Sequence, residues 1–342
     1  MKSNLYVGDP AKSNPSSDSS SIRYLPDPGL VDAVNVALIL ARPLLLTGEP
    51  GTGKTCLAAS IAAELGLGSP LRFQTKSTSM ARDLFYYYDA IRHFHATQTQ
   101  KSPVNAAQFI TIQAMGEAIL RTKDPEEIHA ALPNFPHSAP QRSIVLVDEV
   151  DKAPRDFPND ILYEVEDLIF EIPELGGIRF RVSPDPALQP ILVFTSNSEK
   201  NLPDAFLRRC VYYHIPFPDQ ERLHKIVETH QGSLAARGDL RLTAAIEFFA
   251  RFRAPDVSFR KRPSTAELLD WVQMLVNLDD ERMTGDARPL FDEALLRKSL
   301  RVLVKAVEDF KPAEAILKQW LSDHKKPYIG AAPQIMSTAR RD

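Results

Sequence analysis

Long apolar runs, cysteines and glycines are all scarce in this sequence of 342 residues. No stretch of 18 or more residues is continuously apolar and the first residues are polar, so the sequence predicts no membrane insertion and no secretory signal. Cys56 and Cys210 are too few for a disulfide framework and indicate a reducing, cytoplasmic location. We expect both to be small buried apolar residues rather than nucleophiles.

A strong excess of charge is also missing, because 41 Lys and Arg residues stand against 44 Asp and Glu residues. The resulting net charge of −3 argues against a surface that coats nucleic acid, although a local basic groove would be compatible with it. No helix-turn-helix, zinc-binding or aromatic-basic signature is present. Nucleic acid is therefore not an expected partner.

Three of the 14 glycines fall within one octapeptide at residues 48–55. An apolar run at 44–47 precedes it and a helix-like stretch at 56–65 follows it, which is the strand–turn–helix setting of a phosphate-binding loop. Such a loop wraps phosphates with backbone N–H groups, aided by the positive end of the helix. The predicted nucleotide-binding residues are Gly48, Glu49, Pro50, Gly51, Thr52, Gly53, Lys54, Thr55 and Cys56. The alternative is a chance glycine turn.

Within this loop two side chains have distinct expected roles. Lys54 would reach the β- and γ-phosphates of a bound nucleotide, and Thr55 would place its hydroxyl on Mg²⁺. A second metal-binding group, Asp148, ends the apolar run 144–148, where its carboxylate can hold Mg²⁺-bound water beside the loop. Glu149 follows it and can act as the general base that activates a water for attack on the γ-phosphate. The alternative for both acids is an exposed turn after a strand.

Two further elements fit the same chemistry. Asn197 follows the apolar run 191–195, where an amide can orient the attacking water, although asparagine is also common in turns. Arg208 and Arg209 precede the run 211–215, and either arginine could reach the nucleotide of a neighbouring subunit and stabilise transition-state charge. The alternative is an internal salt bridge, which we expect for one of the two.

Apolar runs and helical periodicity predict an α/β fold for the first two thirds of the chain. We expect parallel strands at 44–47, 71–75, 143–148, 191–195 and 211–215, and a β-hairpin at 169–182. Helices are predicted at 30–41, 56–65, 80–95, 106–121 and 156–167. After residue 216 the pattern predicts helices alone, at 219–230, 243–253, 264–277, 291–310 and 313–324.

Composition divides the chain into four parts. Residues 1–23 are rich in Ser, Asn and Asp and are predicted to be a disordered tail. Residues 24–217 form the predicted α/β core, residues 218–324 a helical lid, and residues 325–342 a loose C-terminal tail. Ser264 and Glu267 have the spacing of a capping box at the start of one lid helix.

Together these elements resemble the AAA+ ATPases, and within them the MoxR-like or dynein-related branch. The resemblance rests on Walker A at 48–55, Walker B at 144–149 with its extension at 150–154, Asn197 as sensor 1, and the arginine-finger segment at 202–209. It extends over about residues 28–310, and the hairpin at 169–182 resembles the pre-sensor insertion of the branch. It implies a P-loop NTPase core with a parallel sheet, followed by an all-helical lid.

The resemblance also implies activity and partners. Members bind ATP with Mg²⁺ between the subunits of a ring, typically a hexamer, and many remodel a protein substrate beside a von Willebrand factor A-type partner. A nucleic-acid motor or loader is an alternative, and a nucleotide-gated scaffold with little turnover is another, against which Glu149 argues. GTP is less expected than ATP, because the segment after Asn197 lacks the Asn-Thr-Ala-Asp-type signature of the related GTP-using motors.

Several positions stay open at this stage. Any of Arg260, Lys261 and Arg262 could be the sensor 2 residue that faces the γ-phosphate, or the three could form a solvated basic turn; we single out Lys261 and Arg262 as nucleotide-binding. His93 and His95 are two residues apart and would point to different sides of a helix, which argues against a metal site. The aromatic run 85–88 is expected to pack in the core rather than to grip a substrate.

Overall fold

The computed structural model describes residues 5–9, 24–99, 104–197, 202–231, 240–280 and 293–323. Its contacts divide the chain into a first unit that ends at Phe217 and a second unit that begins at Pro218. This division coincides with the boundary expected between the core and the lid. The predicted C-terminal tail lies outside the described residues.

The first unit contains both strands and helices. Its strands are β1 (Leu44–Gly48), β2 (Leu71–Gln74), β3 (Tyr86–Tyr88), β4 (Ile110–Ile112), β5 (Ile144–Asp148), β6 (Ile169–Ile172), β7 (Ile178–Arg181), β8 (Ile191–Thr195) and β9 (Val211–Ile215). Its helices are α1 (Pro28–Leu40), α2 (Lys54–Leu65), α3 (Ala90–Thr99), α4 (Ala114–Leu120), α5 (Pro125–Ala131), α6 (Phe157–Asp167) and α7 (Asp204–Arg209).

The described residues include a five-stranded sheet with the order β2-β5-β8-β1-β9, and every pair of neighbours in it is parallel. All residues of β1, β5 and β8 are buried, which explains their continuous apolar sequences. The predicted strands and the α/β fold class are confirmed. Because the strands are parallel, their carboxyl ends share one edge of the sheet.

Each face of the sheet is covered by its own hydrophobic cluster. One cluster joins Leu44 and Leu46 of β1 to apolar residues of α1 and α2. The other joins Val145 and Val147 of β5 to residues of α4, α6, the antiparallel strand pair β3–β4 and the hairpin β6–β7. Alternate side chains of each strand thus enter opposite clusters, as the period of two in a strand requires.

The expectation of a disordered N-terminal tail does not hold for residues 5–9. Tyr6 is only 1% exposed, and its hydroxyl lies 2.8 Å from Ser60 Oγ of α2. Val7 and Gly8 donate backbone hydrogen bonds to the Glu64 carboxylate at 2.6 and 2.9 Å. One aromatic side chain and two backbone donors therefore anchor residues 5–9, although the stretch 1–23 as a whole is mostly polar. The rest of the predicted tail lies outside the described residues.

The prediction of one helix over residues 80–95 is wrong. The chain forms a short 3₁₀ turn, then strand β3, and becomes α-helical only from Ala90. β3 pairs antiparallel with β4, so that Tyr87 lies opposite Thr111. The helix predicted over 106–121 is likewise replaced by a 3₁₀ turn, β4 and the short helix α4. Local periodicity does not reveal that these two segments pair with each other, because they lie far apart in sequence.

The predicted hairpin at 169–182 is confirmed, because β6 and β7 pair antiparallel with Phe170 opposite Phe180. Gly176 and Gly177 both have positive φ angles, of 75° and 78°, which the turn between the strands requires. The hairpin lies between β5 and β8 in the sequence and packs Phe170 and Phe180 into the core.

The described residues of the second unit form helices joined by turns and loops, without a strand. Its helices are α8 (Gln220–Gln231), α9 (Leu240–Arg251), α10 (Thr265–Asp280), α11 (Glu293–Leu303) and α12 (Phe310–Asp323). The rings of Trp271 and Trp320 pack on Phe248, with centroids 5.6 and 5.3 Å from it. The capping box is confirmed, since Ser264 N–H donates to the Glu267 carboxylate and Glu267 N–H donates to Ser264 Oγ.

The continuous helix predicted over 291–310 is wrong, because α11 ends at Leu303 and a 3₁₀ turn separates it from α12. The buried carboxylate of Asp309 accepts backbone hydrogen bonds from Arg260 and Lys261 at 2.8 and 3.0 Å. These bonds tie the turn to the loop before α10. Every helix in the described parts of the chain is too short or too polar to span a bilayer.

Candidate nucleotide-binding site

The predicted nucleotide-site residues of the first unit meet at the carboxyl edge of three neighbouring strands. The phosphate-binding loop follows β1, Asp148 ends β5, and Asn197 follows β8. In the sheet β8 lies between β5 and β1. Topology therefore brings together side chains that lie up to 149 residues apart in sequence, from Gly48 to Asn197.

The loop has the backbone that a glycine-rich turn needs. Gly51 and Gly53 have φ angles of 77° and 87°, in the left-handed region that favours glycine. A Cβ atom on Gly48 would lie 2.6 Å from the Ile215 backbone oxygen, and one on Gly53 would lie 2.8 Å from the Tyr24 ring. Glu49 and Pro50 at the apex are exposed, while Thr52 is buried and donates its hydroxyl to Glu49 O at 2.8 Å. The glycines are thus required by close packing as well as by φ.

Lys54 is folded into the loop that it follows. Its ammonium donates to Gly48 O at 2.8 Å and to Glu49 O at 2.9 Å, and the residue is only 7% exposed. Burial lowers the pKa of Lys54 from the usual lysine value, although nearby carboxylates, first among them Asp151, act in the opposite direction. The side chain therefore occupies the concave side of the loop, where it can exchange carbonyl acceptors for phosphate oxygens.

The side chains proposed to bind metal are in contact. Thr55 Oγ1 donates to Asp148 Oδ1 at 3.2 Å, and the buried Asp148 Oδ1 also accepts from Thr195 Oγ1 at 2.5 Å. Hydroxyl and carboxylate oxygens are the donors that Mg²⁺ prefers, together with water and phosphate. No cluster of three or more His, Cys, Asp or Glu that could hold a metal occurs among the described residues. The donor set fits an ion held between protein and nucleotide, not one in an all-protein cage.

Glu149 is held in an unusual conformation beside Asp148. Its backbone is left-handed, with φ 57° and ψ 51°, and its N–H donates to Thr195 Oγ1 at 2.9 Å. Asn197 Nδ2 donates to Glu149 Oε1 at 3.2 Å, so the predicted base and the predicted sensor are in contact. A non-glycine residue in this region costs about 1–3 kcal/mol of strain, and such strain is frequent at functional sites.

Two further groups hold the other oxygen of the Glu149 carboxylate. Gln74 Nε2 donates to Oε2 at 2.8 Å, and Lys152 Nζ lies 2.5 Å from the same atom. The hydrogen bond to Glu149 raises the pKa of the exposed Lys152. The carboxylate therefore has donors on both oxygens.

Three residues of the site escaped the sequence analysis as functional groups: Arg72, Gln74 and Thr195. Arg72 and Gln74 lie two apart on β2, so they share one face of the sheet, and Gln74 is aligned with Asp148. The signal was present as two polar residues alternating with Leu71 and Phe73. It became interpretable only once β2 was known to pair with β5.

The two arginines near β9 have different surroundings. Arg209 Nε lies 3.0 Å from a carboxylate oxygen of Glu166 on α6, which is the internal salt bridge expected for one of the pair. Arg208 is exposed and has no ion-pair partner among the described residues. Both precede the amino end of β9, whereas the phosphate-binding loop follows the carboxyl end of the adjacent strand β1. Five residues of strand, about 16 Å, separate those two ends.

The residues considered for sensor 2 lie in the second unit. The Arg260 guanidinium is 3.1 Å from the Glu308 carboxylate, whereas Lys261 and Arg262 are exposed and make no ion pair with any residue that the structure describes. Their assignment to nucleotide binding stays a prediction.

The remaining candidates have structural explanations. His93 stacks on Phe109 with ring centroids 4.8 Å apart and is hydrogen-bonded to the Tyr88 hydroxyl. Tyr86 is buried, but Tyr87 is 56% exposed, so the expectation of core packing for the aromatic run holds only in part. Burial raises the pKa of Cys210 to about 12, which makes this thiol unreactive at neutral pH.

Cys56 is half-buried at the first turn of α2. Burial is also the main cause that raises its pKa, so the thiol stays protonated beside the loop. Cys56 follows Thr55 in the first turn of α2. Its assignment to nucleotide binding stays a prediction.

A protein-family model described as "AAA: ATPase family associated with various cellular activities" matches residues 44–218. This match covers half of the chain and includes the phosphate-binding loop, Asp148, Glu149, Asn197 and both arginines. Most of the helical second unit lies outside it. A comparison with curated proteins gives no match.

Solved structures similar to the chain include AAA domains. The FIGL-1 AAA domain in complex with ADP is 16% identical with a TM-score of 0.41, and the alignment covers 87% of this chain and 88% of that one. A katanin chain from work on katanin self-assembly is 17% identical with a TM-score of 0.35, covering 86% of each chain.

Proposed function

The chain belongs to the AAA family of ATPases, and from this premise we propose that it is a Mg²⁺-dependent, ring-forming ATPase of the MoxR-like branch that remodels a protein partner. The observation that supports ATP hydrolysis best is the convergence of Lys54, Asp148, Glu149 and Asn197 at one sheet edge. Each has the chemical type that its role requires. The contact between Asn197 and Glu149 supports this proposal, because an amide that orients water would then lie beside the base.

Binding of ATP would use the loop and Lys54. Backbone N–H groups at the start of α2 face the phosphates, and the Lys54 ammonium leaves Gly48 O and Glu49 O to bind the β- and γ-phosphate oxygens. Mg²⁺, held by Thr55 and through water by Asp148, would neutralise charge on the β- and γ-phosphates.

Hydrolysis would use Glu149 and Asn197. Asn197 orients a water in line with the γ-phosphate, and Glu149 accepts a proton from that water as its oxygen bonds to phosphorus. The bond from phosphorus to the bridging oxygen of ADP breaks, so ADP and phosphate leave. Before this step Glu149 Oε2 must be released by Lys152 and Gln74, which both hold it here.

The assignment to the MoxR-like branch is supported by two features of the first unit. The hairpin β6–β7 lies between the Walker B strand β5 and the sensor 1 strand β8. The segment 150–154 after Walker B contributes Lys152 directly to the Glu149 carboxylate. By its resemblance to that branch, the protein would act in the cytoplasm on a protein substrate, beside a von Willebrand factor A-type partner.

Assembly is supported by the position of the arginines. Neither can reach the loop of its own chain from the amino end of β9 without crossing the length of that strand. We therefore propose a ring, a hexamer, in which Arg209 acts on the nucleotide of the next subunit, after leaving Glu166, and Arg208 is the alternative finger.

The test of assembly is a mixing experiment. Arg209→Ala should keep ATP affinity within a few fold and lose most turnover, since an arginine finger contributes about 10³–10⁵ in rate. Mixed with Lys54→Ala subunits it should regain part of the activity, because some interfaces then pair an intact arginine with an intact loop. Arg208→Ala is the matched variant that identifies the finger. No recovery on mixing, or full activity from a monomer, contradicts the proposal.

A nucleotide-gated scaffold is the second candidate function. It is favoured by the hold of Lys152 and Gln74 on Glu149, which would suppress turnover while ATP stays bound. Purified protein that binds ATP but turns it over no faster than a Glu149→Gln variant would support this second function.

A further inference from the structure

Arg72 is bonded to the carboxylate that is expected to hold the metal. Its guanidinium lies 2.5 Å from Asp148 Oδ2, and Asp148 is almost fully buried while Arg72 is half exposed. Asp148 Oδ1 accepts from Thr195 at 2.5 Å and from Thr55 at 3.2 Å. Both carboxylate oxygens are therefore occupied by donors from the protein.

This ion pair compensates a buried negative charge. A carboxylate withdrawn from water is costly unless a cation or several donors accompany it. Thr195 and Thr55 supply neutral donors, and Arg72 is the one cation in contact with Asp148 among the described residues. A metal ion that approaches the same carboxylate meets a like charge already in place, and like charges disfavour each other at this distance.

The neighbouring Gln74 offers Arg72 a second acceptor. Gln74 Oε1 lies 3.1 Å from the same guanidinium nitrogen, on the more exposed side of β2. The guanidinium can thus leave Asp148 without losing every partner, and its half-exposed stem allows it to move into solvent. The ion pair between Arg72 and Asp148 can therefore open more easily than the buried hydrogen bond between Asp148 and Thr195.

We propose that Arg72 is a built-in counter-cation of Asp148 that Mg²⁺ must displace, so that Arg72 sets the Mg²⁺ concentration at which nucleotide is held. The proposal rests on the proposed Mg²⁺–nucleotide site. Arg72 is a positioning residue that acts through Asp148 and touches neither the phosphates nor the water. Removal of Arg72 should strengthen metal binding. Loss of an arginine that binds phosphate would instead weaken nucleotide binding.

The experiment measures ADP affinity by titration calorimetry with EDTA and at a series of Mg²⁺ concentrations. ADP affinity should rise with Mg²⁺ because the two bindings are linked, and the Mg²⁺ concentration that gives half of this gain reports how tightly the protein binds Mg²⁺. Arg72→Gln should lower this half-gain Mg²⁺ concentration by about tenfold, the weight of one charge-assisted hydrogen bond. Arg72→Lys, which keeps the charge, should stay within about twofold of the wild type.

Two controls make the result decisive. In an Asp148→Asn background the effect of Arg72→Gln should vanish, since the proposal has Arg72 act through that carboxylate. Arg72→Met repeats the loss of charge if the glutamine variant does not fold, as checked by circular dichroism. An unchanged or higher half-gain Mg²⁺ concentration in the charge-free variants, or an effect that persists with Asp148→Asn, overturns the proposal. Wild-type protein whose ADP affinity is independent of Mg²⁺ overturns the proposed metal site itself.

Discussion

The first unit contains two regions of opposite character, the carboxyl edge of its five-stranded sheet and the segment from residue 80 to residue 120. At the sheet edge, polar groups are tied to one another over long stretches of sequence, as Asn197 is to Glu149. In the segment 80–120, apolar side chains such as Phe85 and Met115 fill the core. The strands that form the first region lie where the sequence predicted them, whereas the helices predicted for the second region are wrong.

The difference lies in where the information for each region resides. The loop 48–55 is specified by its own glycines and by the helix that follows it, so a short window of sequence suffices. The conformation of residues 86–88 depends on β4, which pairs Tyr87 with Thr111 across 24 residues. A helical period in a short window cannot outweigh such pairing. Substitutions in the two regions should therefore differ in their effects. Those at the sheet edge should impair nucleotide binding or turnover, and those in the segment 80–120 should lower stability.

The largest effect is expected from Lys54→Ala at the sheet edge. The buried ammonium is the proposed phosphate-binding cation of the loop, so its loss should lower ATP affinity by at least about 100-fold and leave the fold intact. Titration calorimetry measures the affinity. The matched control is Lys123→Ala. Lys123 pairs with Glu127 and belongs to none of the nucleotide-site motifs, so this variant should bind ATP normally. Unchanged affinity in Lys54→Ala would remove the basis of the site.

A narrower effect, confined to turnover, is expected from Glu149→Gln. The amide cannot accept a proton from water, so turnover should fall by about 10²–10⁴-fold while ATP still binds. Steady-state phosphate release and calorimetry separate the two properties. Glu127→Gln provides the control with the same chemical change at an exposed helical position. Hydrolysis at the wild-type rate in Glu149→Gln would show that another group is the base.

The smallest effect, and one on stability instead of chemistry, is expected from Gly116→Ala in α4. The new Cβ would lie 2.1 Å from the Phe85 backbone oxygen, so the segment 80–120 must shift. Overpacking of this kind costs about 1–3 kcal/mol, which would lower the melting temperature by about 2–8 °C.

The control for this variant is Gly176→Ala in the β6–β7 turn. A Cβ there meets open space, and only the positive φ of 75° costs energy, about 1 kcal/mol. Equal melting temperatures for Gly116→Ala and the wild type would show that α4 and Phe85 are not packed this closely, and the contrast between the regions would weaken.

Sequence alone identified Asp148 and Glu149 because acids after a buried strand are distinctive once a phosphate-binding loop is known. It did not identify Arg72 and Gln74, since their role depends on the alignment of Gln74 with Asp148 across two strands. Tyr6 was missed for a related reason: one buried aromatic residue in a polar segment gives no periodic signal. Composition and spacing predict elements, whereas the partners of single side chains follow from register.

The Thr195 hydroxyl connects the two acidic residues of the site, and this connection limits how the site can change. One hydroxyl donates to Asp148 and accepts from the backbone of Glu149. A change that moved Asp148, the proposed metal ligand, would also move Glu149, the proposed base. Under the proposed function, metal preference and hydrolytic rate would therefore change together, and a mutational path that alters one without the other would first have to replace Thr195.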